Sequence, residues 1–232
     1  MREVTESNVF KEPVLGSSMK IHQIGGKNFD SNIYLIIDKT IALVDAGTGM
    51  NFETVKQNLG KFNLKPNDIE LLINTHCHYD HVGGDINFIR SAGCEVAIHE
   101  LEANLLREGN GVVTCADMFG EKLEPIDVAI ELREGSKIKL GELTLEVLRT
   151  PGHTAGSVCL YEPKQRLLFS GDVIFSDGVG RTDLPTGDTV ALRNSIERLL
   201  KLDVQNIYPG HGPLVEKNAH ACILNASRFT YL

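Results

Sequence analysis

The feature that most restricts the fold of this chain is an order of predicted elements that occurs twice. In the first half, a predicted hairpin ends at Asp45, a helix follows, and an apolar strand ends at His76. In the second half, a hairpin ends at Asp172, a helix follows, and a strand ends at His211. Ligands of open α/β sheets bind outside the carboxyl ends of the strands. The repeat therefore predicts two β–α units packed face to face, with their strand ends converging on one site.

Short apolar segments define the individual elements of these two units. We predict strands over residues 20–24, 32–37, 41–45, 69–74, 95–98, 137–140, 143–148, 158–161, 167–170 and 207–208. We predict helices over residues 51–59, 82–91, 99–107, 189–201 and 215–226. Residues 1–18 are polar and unpatterned and are expected to form an N-terminal arm, followed by one domain over residues 19–232. Residues 109–127 show no clear pattern.

Composition excludes several classes of protein. With 42% hydrophobic and 23% charged residues, the 232-residue chain is typical of a globular protein that needs no crosslinks to fold. The longest apolar run, Ile33–Ile37, is far too short to span a membrane, and charges interrupt the N-terminal segment, so we expect no membrane partner and no signal peptide. A net charge of −8 disfavours a nucleic-acid partner. Five cysteines without a CxxC pair indicate free thiols and a cytoplasmic location.

A run of four potential metal ligands follows the predicted strand over residues 69–74. The segment from Thr75 has the sequence Thr-His-Cys-His-Tyr-Asp-His. In extended backbone His76 and His78 point to the same side, so both imidazoles can reach one ion. Where the chain turns into a helix, Asp80 and His81 are directed toward a neighbouring position. Nitrogen and carboxylate oxygen together suit a borderline divalent metal, and the run therefore predicts a metal site.

Three further candidate ligands each follow a predicted strand and lie beside glycines. They are His153, Asp172 and His211. Glycine lets the backbone approach a crowded centre closely and adopt φ values that other residues resist. A metal site built from loops requires this freedom.

Other polar residues near these segments have simpler interpretations. Cys77 lies between two candidate ligands, but its side chain should point away from them. His99 is expected to cap a helix or lie on the surface. Arg181 either pairs with an acid to hold the loop after Asp172, which we favour, or contacts the substrate directly.

Taken together, these residues resemble the ligand series of the metallo-β-lactamase superfamily, over about residues 20–220. HxHxDH is followed by a single His, a single Asp and a final His. Within the superfamily, the sequence Gly-Arg-Thr-Asp at residues 180–183 most resembles that of the glyoxalase II-like (hydroxyacylglutathione hydrolase-like) group. Persulfide dioxygenases of the superfamily have a similar loop. The resemblance implies an α/β fold, a four-layer αββα sandwich of two mixed β-sheets with helices on the outer faces.

The resemblance also implies a ligand set for two divalent metal ions in the edge cleft. One metal would take His76, His78 and His153; the second would take Asp80, His81 and His211; and the Asp172 carboxylate would bridge the pair. Asp45 matches an acid that orients the ligand loops. Zinc is the first expectation for both ions, with iron or manganese as alternatives.

The activity implied is hydrolysis of a small-molecule thioester, or of a related ester or lactone. Two cations can hold a bridging hydroxide at neutral pH and polarise a substrate carbonyl, so no Ser/His/Asp triad is required. Asp80 would help pass a proton to the leaving group. Two alternatives stay open: a mononuclear iron persulfide dioxygenase using ligands of the His76, His153 and Asp172 type, and a non-catalytic or nucleic-acid-acting member. A homo-oligomer is compatible with the sequence.

The chain departs from some members of the superfamily. Glyoxalase II proper has a helical C-terminal region that holds glutathione, whereas only residues 212–232 follow His211 here, so we expect this glutathione clamp to be missing. The tRNA-processing members have a long insertion with a basic exosite, which is also missing. True β-lactamases lack the acid at the second metal, which Asp80 supplies in this chain.

Overall fold

The computed structural model describes residues 19–229. The arm predicted for residues 1–18 lies outside the described residues, as do residues 230–232, so the predicted domain division stays a prediction. No helix within residues 19–229 is long and apolar enough to cross a membrane.

Two mixed β-sheets form the centre of the molecule. Sheet A has six strands in the order β1 (Lys20–Gln23), β2 (Tyr34–Ile37), β3 (Ile41–Val44), β4 (Leu71–Ile73), β5 (Glu95–His99) and β6 (Ile130–Leu132). Sheet B has five strands in the order β7 (Lys137–Lys139), β8 (Thr144–Arg149), β9 (Val158–Glu162), β10 (Leu167–Gly171) and β11 (Asn206–Pro209). The pairs from β3 to β6 are parallel, as is β10 with β11, and the remaining pairs are antiparallel.

Helices cover the outer face of each sheet. They are α1 (Phe52–Gly60), α2 (Tyr79–Val82), α3 (Asp85–Ala92), α4 (Glu100–Glu108), α5 (Thr189–Leu199) and α6 (Ala219–Phe229), with short 3₁₀ turns at Pro66–Asp68 and Ala116–Phe119. Apolar residues of α1, α3 and α4 pack on sheet A, and those of α5 and α6 pack on sheet B. A third apolar cluster fills the space between the sheets. The predicted four-layer αββα sandwich is therefore confirmed.

Strand β3 shows how the sequence separates these layers. Ala42 and Val44 belong to the cluster between the sheets, whereas Leu43 belongs to the cluster under the helices. Successive side chains of a strand point to opposite faces, so an unbroken apolar run is needed where both faces are covered. This requirement explains why the central strands could be predicted from short apolar runs.

The structure departs most from the predicted elements at three places. The helix predicted over 82–91 begins only at Asp85, as α3, and Val82 ends the separate helix α2. The helix is interrupted there because the Gly84 N–H donates to the Gly47 carbonyl and the His81 carbonyl accepts from the Ala46 N–H, both at 2.8 Å. The helix predicted over 215–226 begins only at Ala219, since Val215 forms a backbone bridge with Ile207 in both directions, at 2.9 and 3.0 Å. Strand β6 was not predicted, because two of its three residues are exposed.

Candidate metal centre

The predicted ligands converge where the carboxyl ends of strands from both sheets meet. His76 and His78 follow β4, Asp80 and His81 lie in α2, and the other three ligands follow β8, β10 and β11. His78 still has extended backbone at the start of α2, with φ −65° and ψ 145°. The switch from extended to helical backbone at this residue directs the two pairs of side chains to neighbouring positions.

Three imidazoles form the first group, here called the three-imidazole set: His76, His78 and His153. His78 Nδ1 lies 3.1 Å from His76 Nε2 and 2.8 Å from His153 Nε2. All three side chains are buried, and their ring nitrogens lie within 4.8 Å of one another. Three nitrogens facing one point is the arrangement that three protein ligands of a single ion require.

Hydrogen bonds on the outer side of these rings fix which nitrogen faces the centre. His153 Nδ1 donates to the Arg181 carbonyl at 2.7 Å, and His76 Nδ1 lies 3.1 Å from the Thr75 hydroxyl. A proton on each Nδ1 leaves the Nε2 lone pair directed inward. Such outer partners set the tautomer and the orientation of metal-binding histidines.

Burial keeps these imidazoles uncharged. It lowers the pKa of His76 well below its ordinary value, lowers that of His78 to about 3 with a further contribution from His153, and lowers that of His153. A buried cation without a partner is unfavourable, so the neutral form dominates. Neutral imidazole is the form that binds a metal.

Asp80, His81 and His211 form the second group, here called the mixed set. Asp80 Oδ2 lies 3.0 Å from His211 Nε2 and 3.8 Å from His81 Nε2. His81 is fully buried, whereas the His211 side chain is 34% exposed. The mixed set therefore faces solvent more than the three-imidazole set does.

Asp172 lies between the two sets. Its Oδ1 is 3.3 Å from His81 Nε2, and its Oδ2 is 3.5 Å from His153 Nε2 and 3.7 Å from His211 Nε2. One carboxylate thus contacts imidazoles of both sets, as a bridging ligand must. Burial would raise the pKa of Asp172, but His81 and the other imidazoles outweigh it and hold that pKa below its ordinary value.

Asp45 supports this arrangement from behind. Its Oδ1 accepts from the Thr75 backbone N–H at 2.8 Å, and its Oδ2 accepts from the Thr75 hydroxyl at 3.0 Å and from His81 Nδ1 at 2.9 Å. Burial would lower the pKa of His81, but Asp172, Asp45 and Asp80 outweigh it and hold that pKa well above its ordinary value. Because Nδ1 of His81 is bonded to Asp45, its Nε2 is directed toward Asp172 and the mixed set.

The donor set fits divalent metal ions. His81 Nε2 and Asp172 Oδ1 are buried and lie 3.3 Å apart, but neither atom makes a well-directed hydrogen bond among residues 19–229. Buried polar atoms are rarely left without partners, because the missing bond costs about 1–3 kcal/mol. Imidazole nitrogens and carboxylate oxygens are ligands suited to zinc, iron or manganese.

Arg181 approaches this centre through its backbone. Its carbonyl orients His153, while its guanidinium forms an exposed pair of hydrogen bonds with Asp183 at 2.7 and 2.6 Å. The favoured interpretation of Arg181, a pair with an acid in its own loop, describes this geometry. The contact of its carbonyl with His153 carries no sequence signal, since any residue has a carbonyl.

Two other residues lie where the sequence suggested. Cys77 is fully buried and packs in the apolar cluster under the helices of sheet A, so it points away from the centre. His99 precedes α4 and accepts a hydrogen bond from the Leu101 backbone N–H at 3.3 Å, which is a capping contact.

Sequence reasoning missed three residues that contact the ligand segments. Ser31 and Asn32, in the loop between β1 and β2, hydrogen-bond to the backbone at Asp80 and around His211. Glu102, in α4, accepts from the Gly156 backbone near His153. No sequence motif identifies these residues. The only available signal was their position before or within a predicted strand or helix.

The fold and the centre define a class of metal-dependent proteins, and the family comparison agrees. A family model described as the Metallo-beta-lactamase superfamily matches residues 26–211. The chain therefore belongs to this superfamily.

Individual relatives are similar over most of their length. The chain is 41% identical to the "Probable metallo-hydrolase MJ0888" of Methanocaldococcus jannaschii, an alignment that covers 86% of this chain and 96% of that protein. It is 35% identical to the "Hydroxyacylglutathione hydrolase GloC" of Haemophilus influenzae, over 84% and 91% of the two chains. Among solved structures, TTHA1623 in a di-iron-bound form is similar with a TM-score of 0.71 and 30% identity, over 86% of this chain and 96% of that one. These similarities support a metallo-hydrolase.

Proposed function

We propose that the protein is a binuclear metallohydrolase that cleaves a thioester, with hydroxyacylglutathione thioesters as the first substrate class to test. The observation that carries the proposal is the position of Asp172, 3.3–3.7 Å from imidazoles of both ligand sets. A carboxylate in this position can contact two ions, one held by each group of ligands. Two adjacent sites are the arrangement of the two-metal hydrolases.

The similarity to GloC brings glutathione back as a candidate thiol. Glyoxalase II proper holds glutathione with a C-terminal clamp region, but a protein named as a hydroxyacylglutathione hydrolase aligns with this chain over 91% of its own length. Little of that protein is therefore left for an additional clamp region. This comparison supports a small thioester substrate without identifying its thiol.

The residues of the chain would divide the work around the metals. The three-imidazole set would hold one ion, the mixed set would hold the second, and Asp172 would contact both. When bound, the ions would supply an activated water and polarise the substrate carbonyl. Zinc is the proposed metal, with iron and manganese as the alternatives that the same donor types accept.

Asp80 is the proposed proton-transfer residue. Its carboxyl side chain is 17% exposed, which is more than the 10% of Asp172, and its Oδ2 contacts His211 at the open side of the centre. A leaving thiolate or alkoxide departing into the cleft would therefore pass close to this carboxylate. The five described cysteines are all free thiols, which supports the proposed cytoplasmic location.

The proposal is tested by metal analysis combined with a substrate panel. Protein purified without chelator, in air and anaerobically, is expected to hold about two equivalents of zinc, manganese or iron per chain. The panel contains S-lactoylglutathione, a coenzyme A thioester of the same acyl group, the matching oxygen ester and a lactone. Thioester hydrolysis that is lost on removal of the metal, and restored by its return, is the expected result.

The dioxygenase alternative predicts a different pattern. About one equivalent of iron, with oxygen consumption on addition of glutathione persulfide and no thioester hydrolysis, would replace the hydrolase proposal. His78→Ala provides a further control, because the dioxygenase ligand set does not include this residue. The hydrolase proposal expects this variant to lose metal and activity together.

A further inference from the structure

We propose that Asn32 and Glu102 are positioning residues, each of which holds one half of the metal centre. Asn32 would hold the mixed set and Glu102 the three-imidazole set. The inference rests on the two-metal site of the proposed function, but not on its substrate. Both side chains are buried, at 3% and 2% exposure, and both bind backbone groups of ligand segments.

Asn32 binds the loop that carries His211. Its backbone N–H donates to the Gly210 carbonyl at 2.6 Å, and its Nδ2 donates to the carbonyls of Pro209 at 3.0 Å and Gly212 at 2.8 Å. Three carbonyls on both sides of His211 are therefore held by one residue. Its Oδ1 accepts from Gln23 at 2.6 Å, which fixes the orientation of the amide.

The residue before Asn32 connects the same loop to Asp80. The Ser31 backbone N–H donates to the Asp80 carbonyl at 3.0 Å. Two neighbouring residues of the β1–β2 loop thus connect Asp80 with the loop around His211. Asp80 follows a strand of sheet A and His211 follows a strand of sheet B, but both belong to the mixed set. The distance between the Asp80 carboxylate and the His211 imidazole depends on this connection.

Glu102 makes the corresponding connection for the three-imidazole set. Its Oε1 accepts from the Gly156 backbone N–H at 3.0 Å, just beyond His153. On its other side it interacts with the Cys77 thiol, which lies between His76 and His78. A methyl group on Gly156 would lie 2.6 Å from Glu102 Cγ, so the carboxyl side chain is packed directly against this loop.

The test measures metal binding, so it does not depend on any substrate. Asn32→Asp preserves the size of the side chain but replaces the donor Nδ2 with an acceptor facing two carbonyls. Glu102→Gln likewise preserves the size but replaces one of the two acceptor oxygens with a donor, so the side chain can no longer accept from both Gly156 and Cys77. Metal per chain and the two dissociation constants are measured with Zn²⁺ alone, by elemental analysis and competition with a chelator.

We expect each variant to weaken one of the two zinc equivalents by about 10–100-fold and to leave the other within about threefold of wild type. A double-mutant cycle then assigns the affected half. In a His211→Ala background, Asn32→Asp should add little further loss, whereas Glu102→Gln should weaken the remaining equivalent as it does in wild type.

Two control variants separate positioning from a general loss of stability. Asn58→Ala removes a hydrogen bond of 2.8 Å to the Ile24 carbonyl, at the other end of the Asn32 loop. Glu162→Gln changes a buried carboxylate that also accepts one backbone N–H, from Gln165, in the turn after β9. Both controls should bind two equivalents with wild-type affinity.

Four results would overturn the proposal. The first is wild-type zinc affinity for both equivalents in Asn32→Asp and Glu102→Gln. The second is that each variant weakens both equivalents equally, and the third is that the control variants lose as much zinc affinity as the test variants. Fewer than two equivalents in the wild-type protein would overturn it as well. Absence of thioesterase activity would count against the proposed function only, because zinc binding is measured without substrate.

Discussion

Asp80 is the residue where metal binding and proton transfer can be separated by one substitution. Its Oδ2 contacts His211 at 3.0 Å, and an amide oxygen at this position still offers a ligand atom. Asp80→Asn cannot accept and return a proton, so we expect kcat to fall by about 10²-fold or more while most of the metal is retained. Steady-state kinetics, which give kcat, and elemental analysis of the same preparation check this prediction. Parallel losses of metal and turnover would show that Asp80 acts as a ligand only.

Asp85 gives a prediction about pH that does not involve the ligands. It is fully buried, its Oδ2 accepts from Asn74 at 2.6 Å, and its Oδ1 and the Asn74 Oδ1 have no hydrogen-bond partner among the described residues. Burial raises the pKa of Asp85 well above its ordinary value. A proton on the carboxyl group would remove a buried negative charge that no described cation balances.

The sign of the pH effect follows from that raised pKa. An acid with a higher pKa in the folded state stabilises the fold below its unfolded pKa of about 3.9, and this stability is lost as the pH rises through the folded value. Asp85→Asn is permanently neutral and should remove this loss. We expect the metal-free variant to show a flatter dependence of Tm on pH, between pH 5 and 9, than metal-free wild type. Two parallel curves would contradict a buried proton on Asp85.

At the residue scale, candidate ligands could be selected from the sequence where residue types that bind metals occur in a close spacing, and the structure brings these side chains together. His76, His78, Asp80 and His81 could be selected because four potential ligands occur in six consecutive residues. Asn32 could not, because a single asparagine before an apolar strand has many ordinary roles. Its partners lie 177 and 180 positions away, and only the folded structure brings them together.

At the scale of elements, the segments that follow β10 and β11 approach each other closely at a glycine. A side chain on Gly210 would overlap the Asp172 carboxylate and lie 2.9 Å from the His81 ring. Gly210→Ala should therefore displace Asp172, lower the metal content below that of wild type and reduce activity. Gly60→Ala is the matched control, since nothing lies within 4 Å of the added methyl at the end of α1. A Gly210→Ala protein with wild-type metal content would show that the carboxylate can move without loss.

Elements were predicted well where burial imposes a pattern on the sequence. The strands from β2 to β5 and from β8 to β10 are rich in apolar residues because they lie between layers. The prediction failed at β6, which is exposed, and at the interruption between α2 and α3, where backbone groups hydrogen-bond to residues 46 and 47. Contacts of this kind depend on tertiary structure and leave no periodicity in the sequence.

At the scale of the whole molecule, the centre joins loops from both sheets. Because each set combines ligands from sheet A and sheet B, bound metal should link the two halves of the sandwich. A ligand present at about 1,000 times its Kd adds about 4 kcal/mol of stability when only the folded state binds it. We therefore expect chelation to lower Tm by about 10 °C and zinc to restore it. A Tm unaffected by chelator, in protein shown to have lost its metal, would contradict this link.

The long sequence separation between Asn32 and the loop around His211 also has a consequence during translation, because the chain is synthesised from its N-terminus. All members of the three-imidazole set exist once residue 153 has been synthesised, but Asn32 must wait for Pro209 and Gly212 before its amide finds these acceptors. On the ribosome, the two halves of the centre thus become available at different times. A growing chain would possess one complete group of metal ligands while the loop that completes the other is still unmade.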